Sequence, residues 1–206
     1  VAIVLSYIVR DLVPDAKILI WVLLILSITA ARIVLYYAFS KVRKEAFDGK
    51  YWKNIYLVLV FISGIIWGLS AFFILPTGNE RLFFLFVLVI TSLAATTTIS
   101  HFSIRIASAA FAGPALMLYE MRCVMEGGQP WQVLGFFILL YLLAILRYSF
   151  KHHDTVTSAL HLKFENLKLL RELQEANDTF REKIADRRLA EEDLARQTAL
   201  FSGLLD

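Results

Sequence analysis

Few side chains in this chain have the type and spacing to do chemistry, and most of those stand inside or beside apolar runs. Arg32 is the only ionisable side chain placed well inside such a run, between Lys17 and Phe39. A charge at that depth is costly, and such residues usually face a bundle interior with a partner. Thr96, Thr97, Thr98 and His101 reach the same depth from a later run, and Arg105 from the one after it. Together they would make a polar pocket for an anionic head group, or a switch coupling a stimulus to the C-terminal part. In the alternative reading Arg32 snorkels to lipid phosphate and His101 caps an interface. The residues alone leave both open.

A second place is marked by Trp67, which shares its depth with Pro114, Met117 and Tyr119, while Gly64, Gly68 and Gly113 leave room beside them. A hydrophobic small-molecule signal, fatty-acid-like for instance, would enter there from the bilayer. Close packing is the favoured reading, because small residues four apart let membrane helices approach. Ala94, Ala95, Ala107, Ala110 and Ala112 show the same habit without an aromatic neighbour.

The remaining reactive types point to nothing catalytic. His152 and His153 are adjacent, so they leave a helix on different faces and do not make a metal site. His161 lies in Ala159-Leu160-His161-Leu162-Lys163, without the acidic and Arg-Thr-Pro-Leu surroundings of a phosphoacceptor box. Cys123, the single cysteine, excludes an internal disulfide and a cysteine-based zinc site, and falls in an expected Met121–Gln129 loop. Gly127-Gly128 reads as a turn, since no strand–loop–helix context surrounds it. No catalytic residue, metal or cofactor is expected.

These residues are carried by a chain that changes character near Lys151. It is 206 residues long and 58% hydrophobic, with a mean hydropathy of +0.63, well above soluble domains. Residues 151–206 hold 9 of the 21 Lys and Arg and 11 of the 18 Asp and Glu. The basic excess of the remainder lies in short loops, so the net charge of +3 is no nucleic-acid footprint.

A helix crossing about 30 Å of hydrocarbon needs about 20 apolar residues. Lys17–Phe39, Ile55–Leu75, Leu82–Ser100, Ile106–Met121 with Pro114, and Trp131–Leu146 extended to Phe150 read as spans. Val1–Val9 reads as the end of a span begun earlier, turned by Asp11–Asp15 with Pro14. The expected fold is an all-α membrane protein of about six transmembrane helices, residues 1–150, followed by a long cytoplasmic coiled-coil signalling helix. Lys41, Arg43, Lys44, Lys50 and Lys53 share a side with Arg105, Arg147 and Lys151. The excess of basic residues makes that side, and the C-terminus, cytoplasmic.

From Thr155 to Leu204 there is no proline, and strong helix formers dominate. Leu160, Phe164, Leu167, Leu170, Leu173, Phe180 and Ile184 form a stripe with a stutter near Phe180, interrupted at Arg187-Arg188. Fifty such residues extend about 75 Å. The economical partner for the stripe is its own copy in a parallel homodimer; a membrane-surface helix is the alternative.

Ala31-Arg32, Ser63-Gly64-Ile65-Ile66-Trp67-Gly68, the small-residue span and Leu167-Lys168-Leu169-Leu170-Arg171-Glu172-Leu173 together resemble the N-terminal membrane sensor of bacterial signalling proteins. These are sensor histidine kinases and GGDEF/EAL-type cyclic-di-GMP enzymes. Residues 196–206 resemble the helix that opens a PAS domain, after a signalling helix over 151–195. The resemblance implies a dimeric module in the bacterial inner membrane, in contact with membrane lipids and coupled to an enzyme outside this sequence. A small transporter or channel subunit is the competing class, weakened by the scarcity of ionisable midplane residues. A passive anchor and dimeriser is the third.

Overall fold

The computed structural model describes residues 1–41, 49–100, 104 and 106–203; for 185, 186 and 189–203 only the backbone is described. Six helices occur among the described residues: α1 (Ala2–Val9), α2 (Asp15–Ser40), α3 (Gly49–Phe73), α4 (Glu80–Ser100), α5 (Ala107–Glu126) and α6 (Gln129–Gly203). No strand occurs among them.

The expectation of about six spans is corrected. Four helices, α2, α3, α4 and α6, are long and apolar enough to cross a membrane. With 8 residues, α1 is too short. The 20 residues of α5 include Gly113, Pro114, Glu120 and Arg122, which dilute its apolar character. That dilution has a physical counterpart, because α5 buries Ala107, Phe111, Ala115, Leu116, Tyr119 and Cys123 against protein. A helix solvated by its neighbours does not need a lipid-like surface. The last apolar run and the charged tail form one uninterrupted helix of 75 residues.

The turns follow from local chemistry. Pro14 precedes α2 with Asp15 in its first turn, a favourable position for negative charge. After Pro76 the chain turns at Gly78, φ +72, and the Asn79 side-chain oxygen accepts the Leu82 backbone N–H at 3.2 Å to cap α4. Gly127, φ +67, stops α5 while its N–H returns to the Cys123 carbonyl at 3.2 Å.

The chain divides into two compact units, Val1–Val156 and Thr157–Asp206. In the first, α2 and α3 run antiparallel, with Trp21 beside Trp67 and Arg32 beside Tyr56. By contrast α3 and α5 run parallel, Gly64 against Phe111 and Gly68 against Ala115. A Cβ on Gly64 would collide with the Phe111 carbonyl oxygen and reach 2.9 Å from Pro114 Cγ; one on Gly68 would lie 2.7 Å from Leu118 Cδ1. This is the small-xxx-small contact of membrane helices. Outside the core, Leu19, Ile20, Leu23, Leu24, Phe136, Phe137 and Leu143 are exposed, a surface suited to hydrocarbon rather than water.

In the second unit, Leu160, Phe164, Leu167, Leu170, Leu173, Phe180 and Ile184 are all exposed on one helix. Around them the surface is charged, with Lys168 3.6 Å from Glu172 one turn on. Such an exposed pair adds little stability.

Candidate functional site

Ring-on-ring packing dominates the end of the bundle that carries the Pro76–Asn79 turn, here the turn end. Trp21 meets Trp67 edge-on, with centroids 5.4 Å apart, and its indole N–H donates to the Ile66 carbonyl at 3.2 Å. Phe83 stands 5.4 Å from Tyr119 and 4.8 Å from Trp131. The Tyr119 and Ser70 hydroxyls share a buried hydrogen bond of 2.8 Å, and Ser70 also lies 2.6 Å from the Trp67 carbonyl it donates to. Trp67, Pro114 and Tyr119 are thus brought to one end of the α3–α5 contact. The room expected beside Gly64 and Gly68 holds Phe111, Pro114, Ala115 and Leu118.

Next to this layer lies a charged group that sequence reasoning missed. Cys123 is not in a loop: α5 continues to Glu126 and the thiol is buried. Arg122, only 7% exposed, lies under the Phe72 ring at 5.7 Å and pairs with Glu126 at 2.6 Å. The four-residue spacing of Arg122 and Glu126 was the available signal. One carboxylate oxygen of Glu120 is buried without a hydrogen-bond partner among the described residues, 2.8 Å from where a Cβ on Gly135 would stand. Tyr141 of α6 donates to the Thr91 carbonyl at 2.6 Å.

At the opposite end, the Arg32 end, the same helices bury no residue among those described. The buried residues of α2 stop at Ile28, and those of α3 start at Val60. Between the inner faces lies a cavity of about 420 Å³. One wall carries Arg32, Leu35, Tyr36 and Phe39 of α2, and the other Gly49, Trp52, Lys53 and Tyr56 of α3. Both sets are spaced i, i+3, i+4, i+7, which puts each on one helix face. Ser100 and Ile104 close the far side. The Arg32 guanidinium lies 5.9 Å from the centre of the Tyr56 ring, and Phe39 meets Trp52 edge-on at 5.7 Å.

Neither a protein-family model, nor a curated protein, nor a solved structure matches this chain.

Only the threonines of the set expected around Arg32 are described. His101 and Arg105 lie outside the described residues. Thr97 donates to the Ala94 carbonyl at 2.7 Å, Thr96 to Ser92 and Thr98 to Ala94. These hydroxyls are occupied within α4, and none of the three lines the cavity. Polar company comes instead from Lys53 and the Tyr36 and Tyr56 rings. His152 stacks on Tyr148, centroids 5.7 Å apart, and no cluster of metal-ligating residues occurs among the described residues.

Proposed function

We propose that this chain is the transmembrane sensory and dimerisation module of a bacterial signal-transduction protein. It would relay a membrane-proximal signal through a parallel coiled coil to a cytoplasmic output domain, a histidine kinase or a cyclic-di-GMP enzyme. The single observation that supports this reading is the make-up of α6. Its first part presents Trp131, Ile138, Leu142, Ile145 and Ser149 as a buried stripe, spaced by sevens, fours and threes. Without a break it continues into a segment in which all seven residues of the expected stripe, Leu160 to Ile184, are exposed. An isolated helix of that length and pattern in water gains stability by pairing. A helix shared by a packed bundle and a pairing segment can carry a change of packing from one to the other. The ligand that drives the change must prefer one packing, since equal affinity shifts nothing.

In this reading α5 crosses the membrane inside the ring of its neighbours, and the basic loops put the C-terminus in the cytoplasm of a bacterial inner membrane. The test is disulfide crosslinking of single cysteines placed at Leu160, Phe164 and Leu167, with Glu165 as an off-seam control, in the full chain in nanodiscs. Strong crosslinking at the seam and little at the control is expected. Equal crosslinking everywhere, together with a monomeric mass in mild detergent, would overturn the proposal. Fusing residues 1–206 to a reporter kinase then separates a sensor from a passive anchor, whose output stays constant under every lipid composition.

A further inference from the structure

The geometry points to the cavity at the Arg32 end as a binding site for an anionic amphiphile: an oxyanion head, phosphate or carboxylate, carrying an acyl chain. This inference stands apart from the signalling proposal, because it concerns what binds and not what binding does.

The head-group half of the argument is electrostatic. Arg32 and Lys53 reach the cavity from different helices, and no acidic side chain lines it among the described residues. Arg32 is half-buried and has a ring contact with Tyr56, but no carboxylate pairs with it among the described residues. A cation held that far along an apolar helix is unfavourable unless an anion or water reaches it. A guanidinium takes a phosphate or carboxylate through two parallel hydrogen bonds, and an ammonium adds a point charge. Tyr36, Trp52 and Tyr56 surround that position with rings whose polar edges favour the interfacial zone.

The acyl-chain half comes from a second cavity, of about 580 Å³, that shares Arg32, Tyr36 and Tyr56 with the first. It continues along α2 past Ile33 to Thr29, away from the helix end and towards its middle. Arg32 therefore stands between a cationic compartment and a lengthwise groove, an arrangement that fits a head joined to a chain and not a free ion. Ile33 and Tyr37, which line the groove, are exposed, so a ligand enters sideways from lipid. The first cavity's volume lies in the ordinary range for small-molecule sites.

The probe is Trp52, which lines the cavity and is half-buried, whereas Trp21, Trp67 and Trp131 are buried at the other end. The full chain in phosphatidylcholine nanodiscs is titrated with bromine-labelled oleate, phosphatidylglycerol and phosphatidylcholine, and with inorganic phosphate as competitor. The Trp52 signal is the part of the quenching that Trp52→Phe abolishes. Saturable quenching by at least one anionic amphiphile, roughly tenfold tighter than by phosphatidylcholine, is expected, with that preference lost in Arg32→Gln and reduced in Lys53→Gln. Arg32→Lys should restore part of it. Tight oleate with weak phosphatidylglycerol assigns a carboxylate head, and the reverse assigns a phospholipid. Equal quenching by phosphatidylcholine, displacement by millimolar phosphate alone, or unchanged binding in both charge variants would overturn the inference. Lys53 is exposed, so its variant reports even where the Arg32 variant folds poorly.

Discussion

The two ends of the α2–α3 pair differ more than their composition suggests. Both carry aromatic rings, and both include a cation held near a ring: Arg122 near Phe72 and Arg32 near Tyr56. At the turn end Arg122 has Glu126 within 2.6 Å, so the charge is neutralised internally and the rings of Trp21, Trp67, Phe83 and Tyr119 close over the core. Arg32 has no such carboxylate among the described residues, and the helices beside it line a cavity. Pairing a charge within the chain lets a bundle close, whereas leaving it to a ligand keeps space for one.

Substitutions at the two ends should differ in effect accordingly. The largest effect is expected from Trp21→Ala, which removes the edge-on contact with Trp67 and the hydrogen bond to Ile66. Loss of a buried Trp costs about 3 kcal/mol or more, read as a fall in the thermal midpoint in detergent. Gly64→Ala comes next, at about 1–3 kcal/mol, because the new methyl meets the Phe111 backbone and cannot be accommodated by a rotamer change. Its control is Gly113→Ala, where nothing lies within 4 Å of the added atom; that change should be neutral or slightly stabilising. A loss at Gly113 equal to that at Gly64 would refute the close α3–α5 contact.

Smaller again is Tyr119→Phe, which leaves the ring and deletes the 2.8 Å bond to Ser70. About 1 kcal/mol is expected, since helix–helix hydrogen bonds in membranes are individually modest. The smallest effect belongs to the other end. Arg32→Gln should shift the midpoint by less than about 0.5 kcal/mol in phosphatidylcholine, while abolishing the stabilisation that added anionic lipid gives the unaltered chain by mass action. A fall as large as that of Trp21→Ala would show that Arg32 is part of the packed core.

Much of the helical layout was legible beforehand, because it depends on local properties. The runs Lys17–Phe39, Ile55–Leu75 and Leu82–Ser100 fall inside α2, α3 and α4 with only small overhangs. Where reading failed, the missing information was the neighbour. Arg122 and Cys123 fall in the expected Met121–Gln129 loop, yet α5 runs through them because Glu126 and Phe72 make the charge tolerable. Thr97 and Arg32 match in depth along their helices, yet the Thr97 hydroxyl turns back onto its own helix at Ala94. Trp67 and Tyr119 also match in depth, and there rotation of the helices brings them to one layer, bridged by Ser70.

From residue order the apolar stretches of α2, α3 and α4 could be located, and so could a long C-terminal helix with an apolar stripe, whereas the end of α5 and the number of lipid-suited helices could not. Hydropathy and capping act over a few residues, so they can be read from order alone. Only the tertiary structure decided which face of each helix meets which neighbour, and hence that the Trp21 end closes while the Arg32 end stays open. A helix's rotation about its own axis is set by the side chains packed against it, and those come from segments tens of residues away.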